Sequence, residues 1–183
     1  MRNSIVLGVS GSIAAYKAAV LTSDLIKLGV DVHVIMTAAA AEFIAPLTFQ
    51  TLTGRKVYMG MFEEITHGDV RHISLAQRAD CFVIAPATAN VIGKIASGIA
   101  DDLLSTVVMA VNNAPVIICP AMNTAMYENP ITQRNIKTLQ QYGYKFIEPR
   151  ESRLACGSVG KGALADTEVI VEAIMKELKN LKI

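Results

Sequence analysis

Four short apolar runs, alternating with stretches of helical period, constrain the fold more than any other feature of this 183-residue chain. Ile5-Val-Leu-Gly-Val-Ser10 runs into Gly11-Ser12, and Val32 to Met36 ends at Thr37. Cys81-Phe-Val-Ile-Ala85 and Val116-Ile-Ile-Cys119 are each closed by a proline, Pro86 and Pro120. Runs this short and this apolar read as strands buried on both faces. After the first comes a helix with Leu21, Leu25 and Leu28 on one face, stopping at Gly29. Asn90 to Val111 is helix-like, Lys145-Phe-Ile147 reads as a short last strand, and Ala165 to Leu181 closes the chain with Val169, Ala173, Ile174, Leu178 and Leu181 at helical spacing. Such alternation predicts right-handed crossovers and an α/β doubly wound parallel sheet with helices on both faces.

Two stretches fit neither period. Glu63 to Arg71 is an irregular connection. Glu148 to Gly162, with Pro149, Gly157, Gly160 and Gly162, reads as a segment without an element, long enough to be a lid or binding loop. No linker or repeat divides residues 1–183, and the length suits a single domain at about 150 residues each. Apolar residues make up 52% of the chain and charged ones 18%, against a usual charged share of about 25%, which excludes disorder and fits a large subunit interface. With 17 basic and 16 acidic residues there is no basic stripe to displace phosphate counterions, so no nucleic-acid partner is expected. Leu103 to Tyr127 is uncharged, but Asn112, Asn113, Pro115 and Pro120 break it into helix, turn and strand, so no membrane span is expected. Three cysteines with no C-x-x-C argue against a disulfide framework or a metal site, and the N-terminus carries no signal-peptide pattern. A reducing, cytoplasmic setting follows.

Every strand end carries small or hydroxylic residues: Ser10-Gly11-Ser12, Thr37, Thr88-Ala89-Asn90 and Ala121-Met122-Asn123. Ligands of open α/β sheets sit beyond these ends, where helix N-termini offer N–H groups to anions. The first turn is Gly8-x-x-Gly11 and lacks the dinucleotide G-x-G-x-x-G, which disfavours a nicotinamide site. His72, within Asp69-Val-Arg-His72-Ile-Ser-Leu-Ala, stands before a helix as a candidate base or a structural histidine. Cys81 and Cys119 lie inside apolar strands as core. Cys156, in Leu154-Ala-Cys-Gly-Ser-Val-Gly-Lys-Gly162, is a thiol able to act as acid or nucleophile. Asn123 is a helix cap or a ligand group.

Five ordered motifs carry a resemblance over Ile5 to about Asp166: Gly11-Ser-Ile-Ala-Ala-Tyr-Lys17, His72-Ile-Ser-Leu, Ala85-Pro-Ala-Thr-Ala-Asn-Val-Ile-Gly-Lys94, Pro120-Ala-Met-Asn-Thr-Ala-Met-Tyr127 and Ala155-Cys-Gly-Ser-Val-Gly-Lys-Gly162. The chain resembles the homo-oligomeric flavin-containing cysteine decarboxylases. Its fourth motif matches their P-x-M-N-x-x-M-W with Tyr127 in place of Trp, and Ser158-Val159 stands where they have acidic residues after Cys-Gly. The resemblance implies a Rossmann-like (flavodoxin-like) single domain with a substrate-clamp loop at about 148–162, an FMN cofactor, and a homotrimer or homododecamer. It further implies decarboxylation of 4′-phosphopantothenoyl-cysteine to 4′-phosphopantetheine in coenzyme A biosynthesis. In that chemistry the substrate thiol is first oxidised to a thioaldehyde, whose C=S accepts the electrons released with CO₂; the resulting ene-thiolate is then reduced. The cofactor does the redox work and the protein orients and protonates.

By the same resemblance His72 is the base or electrostatic partner of the first half. Asn123 hydrogen-bonds the departing carboxylate or its neighbouring amide, and Cys156 donates the proton of the reductive half. A thiol of ordinary pKa about 8.5 is a neutral acid near pH 7. Gly11, Ser12, Thr37 and Phe43 are implied on one side of FMN, and Thr88, Ala89, Asn90, Val91 and Ala121 on the other, with Phe43 stacking on the ring or serving the core. Three neighbouring functions share the fold. A decarboxylase of a peptide's C-terminal cysteine is disfavoured by the Cys156 loop, since stopping at the ene-thiol needs no reductive acid. A flavin prenyltransferase is disfavoured by Pro120-Ala-Met-Asn123 and His72. A non-catalytic flavin-binding regulatory protein is disfavoured by His72, Asn123 and Cys156 together. Relatives also occur fused to a domain that joins cysteine to phosphopantothenate with CTP, so the chain is a stand-alone enzyme or one part of such a protein.

Overall fold

A computed structural model describes residues 3–61, 71–153 and 159–181. The expected strands form β1 (Ser4–Val9), β2 (Asp31–Met36), β3 (Cys81–Ala87), β4 (Val116–Pro120) and β5 (Lys145–Phe146), paired in the order β2-β1-β3-β4-β5, all parallel. The order reverses at β1: the chain leaves it for β2 on one side and returns to β3 on the other. That reversal opens a crevice at the carboxyl ends of β1 and β3, the ligand position of this topology. The helices are α1 (Ala15–Lys27), α2 (Ala38–Ala41), α3 (Pro46–Thr53), α4 (Arg71–Arg78), α5 (Ala89–Ala96), α6 (Leu103–Ala110), α7 (Thr124–Glu128), α8 (Pro130–Gln141) and α9 (Thr167–Asn180).

Strand period two divides the core cleanly. Ile5, Leu7, Val9, Val32, Val34, Cys81, Val83, Ile117 and Cys119 face one layer, packed by Ala18, Leu21 and Leu25 of α1 and Ile170, Ile174 and Leu178 of α9. Val6, Ile35, Phe82, Ile84 and Ile118 face the other, packed by α4, α5, α6 and α8. At Gly8 the second layer packs directly on the strand, and a Cβ there would displace the Leu104 side chain.

Several expectations shift. Leu28 is 53% exposed, since α1 ends at Lys27 and Gly29 turns the chain with φ +79. Val169 and Leu181 also face out. Asn90–Val111 is two helices, because Gly98 at φ +68 ends the first, and Asp102, accepting from the Ser105 N–H at 2.8 Å, caps the second. Pro86 does not end its strand: β3 runs on to Ala87, whose carbonyl accepts from the Ala121 N–H at 3.0 Å. The segment expected to lack an element carries an antiparallel ribbon, β6 (Arg150–Arg153) with β7 (Val159–Ala163). Pairing between two short polar segments leaves no signal within either one in a glycine-rich sequence. The Glu63–Arg71 connection and Cys156 fall on residues outside those described, except that Arg71 begins α4.

Candidate active site at the carboxyl edge of the sheet

The four βα turns are linked in a row along the carboxyl edge. Gly11, after β1, lies so close to the β2–α2 turn that a Cβ there would stand 2.5 Å from the Ala39 Cβ and 2.9 Å from its backbone. Buried Ser10 joins β1 to β3: its Oγ donates to the Pro86 carbonyl at 2.8 Å and accepts from the Thr88 N–H at 3.0 Å. Ala121 joins β3 to β4 as above, and the Met122 N–H donates to the Gly162 carbonyl at 2.9 Å, tying β4 to the ribbon. Gly162 is required at that contact, since a Cβ would overlap the Met122 carbonyl oxygen.

A cleft of about 450 Å³ opens over this edge. Ser12, Ala121 and Asn123, singled out by sequence, line it. Asn123 is exposed and caps α7, its Oδ1 accepting from the Ala125 N–H at 2.8 Å. Thr37 and Thr88 cap α2 and α5, accepting from the Ala40 and Val91 N–H groups at 3.2 and 3.5 Å. They stand at neighbouring strand ends, not in the cleft wall, as do Ala89, Asn90 and Val91 in the first turn of α5. Val91 is buried in the core beneath. Phe43 is 50% exposed beyond α2, which removes the core alternative left open by sequence. His72 lies in the first turn of α4, partly exposed, and does not line the cleft.

The residues present fit a flavin nucleotide. At the N-terminus of α1 the Ala14 N–H donates to Ser12 Oγ at 3.3 Å and the Ala15 N–H to the Ser12 carbonyl at 2.9 Å, which fixes Ser12 in the cleft wall as a hydroxyl with an O–H to donate. The cap-accepting threonine hydroxyls keep an O–H to donate. Among the described residues no group of His, Cys, Asp and Glu side chains could hold a metal ion. Burial pushes the Cys81 thiol up to about 12 and also raises that of Cys119, so both are inert core groups. Sequence reasoning read 148–162 as a binding loop but singled out neither Arg150 nor Ser152 within it, and quoted Lys17 and Gly162 only as parts of longer stretches. Two residues apart on one strand, Arg150 and Ser152 share a face, a signal legible only once the ribbon is known.

A family model described as Flavoprotein matches residues 1–179. The chain is 50% identical over 179 residues to a probable phosphopantothenoylcysteine decarboxylase of Streptococcus mutans serotype c, covering 97% of this chain and 100% of that protein. It is 53% identical over 173 residues to the coenzyme A biosynthesis bifunctional protein CoaBC of Bacillus subtilis, covering 94% of this chain and 42% of that protein, less than half its length. Among solved structures, a PPC decarboxylase mutant complexed with pantothenoylaminoethenethiol superposes with a TM-score of 0.86 at 33% identity, over 96% of this chain and 97% of that one. The FMN-dependent cysteine decarboxylase SpaF gives a TM-score of 0.83 at 33% identity, over 96% and 97%.

Proposed function

The chain belongs to the flavoprotein family, and on that premise we propose that it is a flavin-dependent decarboxylase converting 4′-phosphopantothenoyl-cysteine to 4′-phosphopantetheine in coenzyme A biosynthesis. The observation that carries the reading is that one cleft is walled by Ser12 and the start of α1, the Ala121-Met122-Asn123 turn and the base of the ribbon that brackets Cys156. In this reading the flavin is FMN, held by Gly11, Ser12, Thr37 and Phe43 on one side and by Thr88, Ala89, Asn90, Val91 and Ala121 on the other. What FMN supplies when bound is reversible two-electron redox chemistry, which gives the decarboxylation an electron sink.

The protein's part is binding, orientation and proton transfer. Asn123 holds the substrate carboxylate or the adjacent amide, its side chain fixed by the Ala125 cap bond. Apolar Ile13, Met122 and Leu164 along the cleft strip water from the reacting end, which favours loss of the charged carboxylate as neutral CO₂. His72 serves as the base or electrostatic partner in the oxidative half, and Cys156 as the acid that protonates the ene-thiolate. Because His72 stands outside this cleft, a neighbouring subunit completes the site in this reading. The exposed apolar side chains of Ile13, Tyr16, Phe43 and Leu47 near this edge support burial in a homotrimer or homododecamer. No helix among the described residues is long and apolar enough to cross a membrane.

The test is direct. Protein purified with FMN shows flavin absorbance, and mass spectrometry shows 4′-phosphopantothenoyl-cysteine losing CO₂ and arriving as the saturated thiol. CO₂ release from a peptide ending in cysteine, but not from this substrate, would replace the reading with a peptide decarboxylase. Light scattering that gives the mass of one chain would remove the assembly.

A further inference from the structure

The cleft has a basic wall that none of the roles above uses. Lys17 stands at the third position of α1, Arg150 opens β6, and both line the cleft beside Ser152. Both cations line one cavity, where burial, and after it the Arg150 guanidinium, lower the Lys17 ammonium from its ordinary 10.5, against the opposing pull of Asp166 and Glu168. Like charges held at one cavity repel, and an anion between them relieves both. Among the described residues Lys17 forms no ion pair. Arg150 Nε meets Asp166 Oδ1 at 3.2 Å, with the two side chains 43% and 57% exposed. A pair that exposed is worth about 0–1 kcal/mol and occupies one of the guanidinium's five N–H donors, so it yields readily to a stronger anion.

We propose that Lys17 and Arg150, with the Ser152 hydroxyl beside them, form a subsite for a phosphomonoester at the end of the substrate remote from its cysteine. The inference rests on the decarboxylase reading and assigns the substrate's orientation within it. Two cations suit a dianion, and the guanidinium fork matches phosphate geometry. Ser12, Ala121 and Asn123 mark the cofactor and carboxylate side of the same cleft. In the same cleft Ile13, Met122 and Leu164 offer apolar surface to a methyl-bearing arm joining the two ends. The phosphate of FMN carries the same chemistry, and the experiment separates the two sources.

Lys17→Gln, Arg150→Gln and the double variant, each loaded with FMN, are assayed on 4′-phosphopantothenoyl-cysteine and on pantothenoyl-cysteine, which lacks the phosphate. The expected result is a rise of about tenfold in KM for the phosphorylated substrate per substitution, equal to about 1.4 kcal/mol of binding, with kcat little moved. The ratio of kcat/KM for the phosphorylated over the unphosphorylated substrate then falls by a similar factor, and Arg150→Lys recovers part of it. FMN affinity, read by fluorescence titration, stays at the wild-type value. An equal loss on both substrates, or an unchanged ratio, overturns the subsite. Weakened FMN binding with the ratio intact assigns the cations to the cofactor and overturns it too. A wild-type holoenzyme that releases CO₂ from neither substrate sinks the decarboxylase reading itself, whereas normal turnover with an unchanged ratio sinks only this inference.

Discussion

The central strands and the β6–β7 ribbon meet at the same cleft but are held by different forces. β1, β3 and β4 are buried on both faces by the two helical layers, and their turns are tied by Ser10 and Ala121 through short hydrogen bonds. The ribbon stands outside that sheet. It is held by the Met122–Gly162 hydrogen bond, by the Arg150–Asp166 pair, and by Lys161, which pairs with Glu148 and lies 5.8 Å from the centroid of the Tyr127 ring. Burial scales with area and is hard to lose piecemeal, whereas exposed charge pairs contribute little each. In the proposed reading the sheet edge therefore supplies a rigid platform for the flavin. In the same reading the ribbon supplies a substrate wall that is adjustable without unfolding the domain.

The largest effect should come from the platform. Phe82→Ala empties a fully buried site near the start of β3, the middle strand of the sheet, and should lower unfolding free energy by about 3–5 kcal/mol, read as a shift in urea midpoint. A loss below 1 kcal/mol would mean that the central sheet is not the stability source assumed here. Next, Ser10→Ala removes the acceptor of the Thr88 N–H and the donor to the Pro86 carbonyl, a loss of about 1–3 kcal/mol with weaker flavin binding. Flavin affinity that does not move would separate this turn from the cofactor.

Gly162→Ala probes the ribbon. Its new Cβ must push off the Met122 carbonyl, so kcat/KM should drop about tenfold, near 1.4 kcal/mol of transition-state stabilisation, with little change in melting temperature. A melting temperature that falls as far as for Phe82→Ala would erase the contrast between the two regions. Smallest is Lys161→Gln. The hydrogen bond that Lys161 donates to the Glu148 carboxylate raises the Lys161 pKa above 10.5, so its stabilisation is present below that pH and lost as pH climbs through the raised value. At such an exposed pair the change should stay within about 1 kcal/mol and shrink further in high salt. A larger, salt-independent loss would show the ribbon to be anchored as firmly as the sheet.

Much of this was legible in the sequence because it is local. Alternation of buried runs and helical period is written in consecutive residues, so the five strands and their order of use follow from Ile5, Val32, Cys81, Val116 and Lys145 onward. The hydroxylic strand ends were legible for the same reason, since a parallel sheet brings all its carboxyl ends to one edge. The ribbon was not, because Arg150–Arg153 and Val159–Ala163 are short, polar and glycine-bearing, and only their mutual pairing makes them strands.

By itself, the sequence determined the sheet, its two covering layers and the motifs at its edge, since short-range period and turn chemistry suffice for these. Only the tertiary structure decided that Phe43 faces out, that His72 stands apart from the cleft, and that Lys17 and Arg150 share a wall. Those outcomes depend on how distant segments pack, and a pair of cations brought together by packing leaves no periodic trace along the chain.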